Sequence, residues 1–286
     1  MRTAVLCGAA ALLVAGTACG ERKEPTGPLV QVYPVTVQGA GERPAVVGGV
    51  PHRIVPLGPG PRAILKALGL QARVVHVNDS LVGLPLVAEI RHAKPDLIVA
   101  SADADPLDLA RARSSTHAAV YVEPSGSLDD VDRAIGDIGL LTGKPVTARA
   151  LTAKILSARR RVRARVSGTP VVSVFVDEGG FTTVPAQSLL GDLVREARGT
   201  SVAGASPEQG PFPVTRLAKL DPQAFIATSD SGTTLAKLRA SAATKKLRAV
   251  HDGRFGVLQA RLAAPGPKVG AALEEIARIL HPDAFR

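Results

Sequence analysis

Cysteine is almost missing from this chain, which carries two in 286 residues, Cys7 and Cys19. Both lie near the N-terminus, so the remainder of the chain has no disulfide framework, no cysteine metal site and no cysteine nucleophile, and must be held by core packing alone. Tryptophan is absent, and two tyrosines and six phenylalanines leave little material for the stacking platforms that hold nucleic-acid bases. After residue 19 no apolar run is long enough to span a bilayer. Enzyme signatures are missing as well: there is no Gly-x-Ser-x-Gly, no His-Glu-x-x-His, and Gly143-Lys144 runs into Pro145 instead of the hydroxyl residue a phosphate loop needs. The six histidines are dispersed without metal-ligand spacing, and His76 reads as a core histidine on a buried strand. The expectation is a protein with no catalytic residues, no metal and no cofactor.

What is present begins with an export leader. Arg2 precedes an apolar and small-residue run from Ala4 to Ala18, and Cys19 is followed at once by polar Gly20-Glu21-Arg22-Lys23-Glu24. The run is too short for a transmembrane helix and suits a removable leader. Small residues leading into a cysteine resemble the lipobox of bacterial lipoproteins, with Gly16 standing where a branched aliphatic residue is usual; the resemblance implies lipidation of Cys19 and anchorage outside the cytoplasm. Residues 1–18 are then the signal peptide and residues 19–28, rich in proline and charge, a tether. Losing Arg2 takes the formal charge from +10 to +9. On an exported protein that excess points to anionic lipid or ligand rather than nucleic acid.

Valine alternation at Val30, Val32, Val35 and Val37, a Gly-rich turn and Ala45-Val46-Val47 predict a small hairpin. Apolar runs then alternate with helical periods: strands at 54–57, 73–77, 96–100 and 118–122, helices at 62–68 and 106–112, and a helix capped by Ser127 and stopped by Gly143. Pro145 opens a helix that reaches Val166 without a breaker, with Leu151, Ile155, Ala158, Val162 and Val166 in one stripe; five arginines crowd its end and read as a solvated face. The alternation restarts with strands at 170–176, 224–228 and 255–258 and helices at 187–197, 214–219, 233–240 and 267–280. Lys94-Pro95-Asp96-Leu97-Ile98-Val99-Ala100 and Asp221-Pro222-Gln223-Ala224-Phe225-Ile226-Ala227 echo each other. The pattern predicts an α/β protein of two Rossmann-like lobes, residues 29–144 and 167–286, joined by a single long α-helix, residues 145–166.

Gly58-Pro59-Gly60-Pro61-Arg62-Ala63 follows a strand, opens a helix and has Asp79 about twenty residues on, which is the spacing of a dinucleotide fingerprint. That fingerprint needs backbone N–H groups at a helix N-terminus, and two prolines remove them. A rigid loop at a strand end is the expectation.

Several strings taken in order carry a resemblance. Arg53-Ile54-Val55 before a proline-containing loop and Ala63-Ile64-Leu65-Lys66-Ala67-Leu68-Gly69, Lys94-Pro95-Asp96-Leu97-Ile98, Ser127-Leu128-Asp129-Asp130 running to Leu141-Thr142-Gly143, Ser188-Leu189-Leu190-Gly191-Asp192-Leu193, Pro265-Gly266-Pro267 and His281-Pro282 resemble the periplasmic-binding proteins of ABC importers for ferric siderophores, haem and cobalamin. The likeness spans about residues 30–284. It implies a monomer with a small-molecule ligand held between two lobes, a stiff linking helix that allows little hinge closure, and an ABC permease as partner. In that family a glutamate about seven residues before each Pro-Asp-like strand start docks on the permease. Those places hold Ala88 and Thr215 here, with Glu89 one position away as the substitute in the first lobe.

Ligands of open α/β sheets bind beyond the carboxyl ends of the strands. By that rule the ligand-binding candidates are Pro59, Asn78, Asp79, Ser101, Asp103, Glu178, Phe181, Ser229, Asp230 and Arg261, with Glu123 and Gln259 beside them. Asp, Asn and Ser there serve equally as turn formers. The alternatives left open are the same fold used as a non-transport scaffold or sensor, which the missing docking glutamates favour, and an exported enzyme.

Overall fold

Parallel strands bury both faces, and each half of this chain supplies a separate set of them. A computed structural model describes residues 32–204 and 210–286; the leader, Cys19 and the tether lie outside the described residues. β1 (Val35–Val37) and β2 (Ala45–Val47) pair antiparallel with Val35 opposite Val47 and Val37 opposite Ala45. Both strands alternate buried and exposed residues, as a hairpin lying on a core must.

The first half continues with β3 (Ile54–Leu57), α1 (Pro59–Ala67), α2 (Leu84–Ala93), β4 (Leu97–Ala100), α3 (Pro106–Thr116), β5 (Ala119–Val122) and α4 (Leu128–Leu141). Its sheet is β3-β4-β5, all parallel, with Val55 beside Ile98 and Ile98 beside Val120. Pro56 fits inside β3 because that strand stands at the sheet edge, where a missing N–H costs least. Next comes α5 (Pro145–Val166), and the second half follows as β6 (Val172–Asp177), β7 (Thr182–Thr183), α6 (Leu189–Glu196), β8 (Gly199–Ser201), β9 (Gly210–Pro211), α7 (Val214–Leu220), β10 (Ala224–Thr228), α8 (Leu235–Ala240), α9 (Arg248–His251), β11 (Phe255–Leu258), α10 (Ala260–Ala263) and α11 (Val269–Leu280). Its main sheet runs β11-β10-β6-β8, again all parallel.

The 22 residues of α5 make a rod about 33 Å long, at the helical rise of ~1.5 Å per residue. Ala148, Ile155, Ala158, Val162 and Val166 are buried along one stripe, against α4 from the first half and α11 from the second. Both approaches are close. A Cβ on Gly139 of α4 would run into the methyl of Ala148, and one on Gly270 of α11 would sit 3.0 Å from that of Ala158. One apolar core therefore runs from Ile54 and Leu97 through Ile138 and Ile155 to Val174 and Leu273, so the two sheets are anchored to a shared rod.

Four of the five arginines at the end of α5 are exposed as expected, while Arg159 is largely covered, and most of them also make ties to neighbouring helices. Arg159 donates to both oxygens of Glu196 on α6, at 3.1 and 2.7 Å, and to Asp129 on α4 at 2.7 Å; Arg163 gives Glu196 two more bonds at 2.9 Å. Arg161 pairs with Glu274 of α11, and Arg165 lies over the Phe285 ring. Glu196 is buried, and although burial opposes its ionisation, the two guanidinium groups more than compensate and hold its pKa at about 2. Asp192 adds a further tie by accepting the Leu128 amide at the start of α4. The segment 73–77 is also not a strand. It makes a single bridge from Val74 to Ile54, and His76 is exposed instead of lying in the core.

Candidate functional site

Three strand ends converge at the carboxyl edge of the first sheet. β3 runs through Gly58 into α1, β4 through Ser101–Asp105 into α3, and β5 through Glu123–Gly126 into α4. The Gly58-Pro59-Gly60-Pro61 string is the first turn of α1 rather than a loop before it. Proline fits there because the φ it imposes is helical and first-turn N–H groups have no intrahelical partner to lose. Asp79 holds this turn. Its carboxylate accepts the Gly58 amide at 3.0 Å and pairs with Arg62, and these contacts outweigh partial burial and keep its pKa below the usual carboxylate range. Asn78 caps its own turn by accepting the Ser80 amide. Ser101 donates to Asp103 at 2.5 Å, and Asp105 caps α3.

Glu123 is the anomaly of this edge. It is 1% exposed, and neither carboxylate oxygen has a hydrogen-bond partner among the described residues. Burial first, and the nearby charge of Asp103 second, push its pKa up to about 8. Gly60 faces it, and any Cβ at residue 60 would occupy the place of the Glu123 carboxylate. The fingerprint-like glycine thus makes room for an acid and not for a pyrophosphate.

A cavity of about 390 Å³ opens here, lined by Pro59, Ser101, Asp103, Glu123 and Ser125 of the first half and by Pro265 of the second. A second cavity of about 450 Å³ shares Pro265 and lies between α1, with Lys66, and the stretch carrying Arg261 and Lys268. A third, of about 410 Å³, belongs to the first half alone and includes Asp79 and Asp103. The structure thus brings Pro59, Ser101, Asp103 and Glu123 together and places Arg261 at the neighbouring mouth.

The remaining strand-end candidates border none of these three cavities. Glu178 follows β6, and Ser229 and Asp230 follow β10, where the Ser229 hydroxyl donates to Asp230 and its oxygen accepts the Ala260 amide. Phe181 is half-buried, its ring 6.4 Å from that of Phe175 in a core of Phe175, Phe212 and Phe225. Gln259 precedes α10, whose Arg261 reaches the cavity. Pro265 escaped sequence reasoning, although the Pro265-Gly266-Pro267 string was visible. Exposed Glu89 and Ala88 lie on α2, and exposed Thr215 on α7.

Comparison with known proteins gives one consistent answer. The family profile described as periplasmic binding protein matches residues 83–262. The ABC transporter substrate-binding lipoprotein YvrC of Bacillus subtilis is 23% identical over 308 residues, covering 99% of this chain and 97% of that protein. Among solved structures, nickel-bound CeuE of Helicobacter pylori superposes with a TM-score of 0.76 at 14% identity, over 88% of this chain and 90% of its own. The vitamin B12 binding protein BtuF of Vibrio cholerae superposes with a TM-score of 0.70 at 19% identity, over 82% and 98%.

Proposed function

The chain belongs to the periplasmic binding protein family and is an extracytoplasmic substrate-binding protein of the ABC-transporter class, not an enzyme, and from that premise we propose its anchorage, its ligand class and its site. A lipid on Cys19 tethers it to the membrane, and an iron chelate, haem or corrinoid sits between the halves for delivery to a permease. One observation carries this reading: the cavity at the carboxyl ends of the first sheet is bordered by Pro265 of the other half. Pro59, Ser101, Asp103 and Glu123 are the contacts proposed on one side, and Arg261 lies beside the neighbouring opening. Because α5 is packed into both halves, the ligand is taken up with small relative movement.

A thermal-shift screen of the leaderless protein against ferric hydroxamates and catecholates, haemin and cobalamin tests the reading. A concentration-dependent rise in Tm with at least one member is expected; no rise with any would favour a scaffold or sensor. That second reading has its own support, since Ala88 and Thr215 occupy the exposed places where the family carries docking glutamates, and only Glu89 stands nearby. Anchorage is tested separately. Cys19→Ser is expected to move the protein from the membrane fraction to the soluble exported fraction, and unchanged partitioning would refute lipidation.

A further inference from the structure

The wall around Glu123 is rich in acceptors, with the Ser125 hydroxyl as the side-chain donor beside them. Its own two oxygens are unpartnered among the described residues, in a site from which water is largely excluded, and leaving such a group without a hydrogen bond is costly. Asp103 adds a second carboxylate, and the Ser101 proton is committed to Asp103, so that the hydroxyl shows the cavity its lone pairs. The facing helix N-terminus would ordinarily supply N–H groups for an anion, but Pro59 and Pro61 have none to give at two of its first three positions. Around Glu123, Arg62 of α1 is engaged by Asp79, Tyr121 of β5 gives its hydroxyl to Asp137, and Asp103 is the charge that acts on it.

Resting on the receptor reading, we infer that the ligand carries a protonated amine or an equivalent cationic N–H group, which enters the cavity between the halves and is bound by Glu123 with Asp103. Two carboxylates suit an organic cation better than a bare metal ion, and among the described residues no group of three or more His, Cys, Asp or Glu is placed to hold one. Such a guest converts a neutral buried acid into a paired carboxylate, so binding expels a proton near neutral pH.

Calorimetric titration with a matched pair decides the matter: ferrioxamine B, a ferric chelate with a pendant ammonium, and its N-acetyl derivative, the same chelate without that charge. Ferrioxamine B is expected to bind about ten- to a hundredfold more tightly, as charge-assisted hydrogen bonds to a desolvated carboxylate imply, with the margin lost in Glu123→Gln. Equal affinities, or a preference that survives Glu123→Gln, would overturn the inference. Haemin, ferric enterobactin and cyanocobalamin run alongside. Tighter binding of any of these than of ferrioxamine B, unaffected by Glu123→Gln, overturns the cationic ligand and leaves the receptor reading standing, whereas silence from all five removes the receptor reading and the inference with it. A measurement without ligand guards the site itself: at pH 8, Glu123→Gln is expected to raise Tm by about 2–4 °C or more, because the orphaned acid is a cost in the empty protein. A lower Tm would mean that Glu123 has a structural partner, and the site would fall.

Discussion

Replacing Glu196 with glutamine should loosen the rod from the second half, while the Arg159–Asp129 pair still holds it to α4. The carboxylate is 4% exposed and accepts four N–H bonds, two from Arg159, itself 17% exposed, and two from Arg163. Its pKa falls from 4.5 to about 2, and at ~1.36 kcal/mol per pH unit this corresponds to ~3 kcal/mol of stability at neutral pH. Glu196 is an acid with a depressed folded pKa, so its contribution is complete above about pH 4.5 and fades as the pH falls towards 2. Urea unfolding of the leaderless protein at pH 7, 5, 3 and 2 measures it. The variant is expected to be ~3 kcal/mol less stable at pH 7, with Tm lower by ~6–12 °C at this chain length, and the two curves should converge at the acid end. A difference under ~0.5 kcal/mol at pH 7, or parallel curves from pH 5 to 2, would show that the Arg–Glu cluster ties nothing together.

Three other outcomes rest on the same contacts. Gly139→Ala should cost ~1–3 kcal/mol, the usual penalty of overpacking, because its methyl meets Ala148 on α5; chemical denaturation checks this, and a neutral result would mean that α4 and α5 are not in tight contact. Gly60→Ala should destabilise by a similar ~1–3 kcal/mol and be largely rescued by Glu123→Ala, which removes the carboxylate it strikes; additive losses in that double-mutant cycle would deny the contact. Glu123 titrates with the opposite sign to Glu196. Its folded pKa is raised, so relative to Glu123→Gln the wild type should lose stability as the pH climbs from about 4.5 to about 8 and level off above, by at most ~5 kcal/mol. A flat difference across that range would show that the acid is solvated.

Legibility in the sequence followed the range of the interactions. α5 was readable end to end, because Pro145 suits a first helical turn and the Ile155-Ala158-Val162-Val166 spacing depends on residues three and four apart. The buried strands at 54–57, 97–100 and 224–228 announced themselves as short apolar runs. α2 is absent from the sequence-based expectations although Leu86, Val87, Ile90 and Ala93 form its buried face; Gly83 and Pro85 open the helix. β8, Gly199-Thr200-Ser201, has no apolar pattern and is a strand because β6 lies beside it. The arginines of α5 were visible, but Glu196 lies 37 residues from Arg159 and meets it only once α6 is packed. Among the candidates, strand-end position named Pro59, Ser101, Asp103 and Glu123, which line one cavity; that Pro265 lines it too could be known only after folding.

The same reasoning explains why the string nearest to a dinucleotide fingerprint is the part of the cleft least suited to one. Glycine at residue 60 is demanded by close approach, as in the fingerprint, but what approaches is the protein's own carboxylate. Proline at 59 and 61 preserves the helix turn while withdrawing the donors that would attract phosphate. A carboxylate and a donor-poor helix end reinforce each other: Pro61→Ala restores an N–H next to Gly60, whose Cβ direction meets the Glu123 carboxylate, and so weakens the demand for a cation. On the receptor reading, that variant should lower the unliganded pKa of Glu123 and narrow the margin between ferrioxamine B and its N-acetyl form without abolishing uptake of the chelate. An unchanged margin would mean that the prolines serve the helix alone.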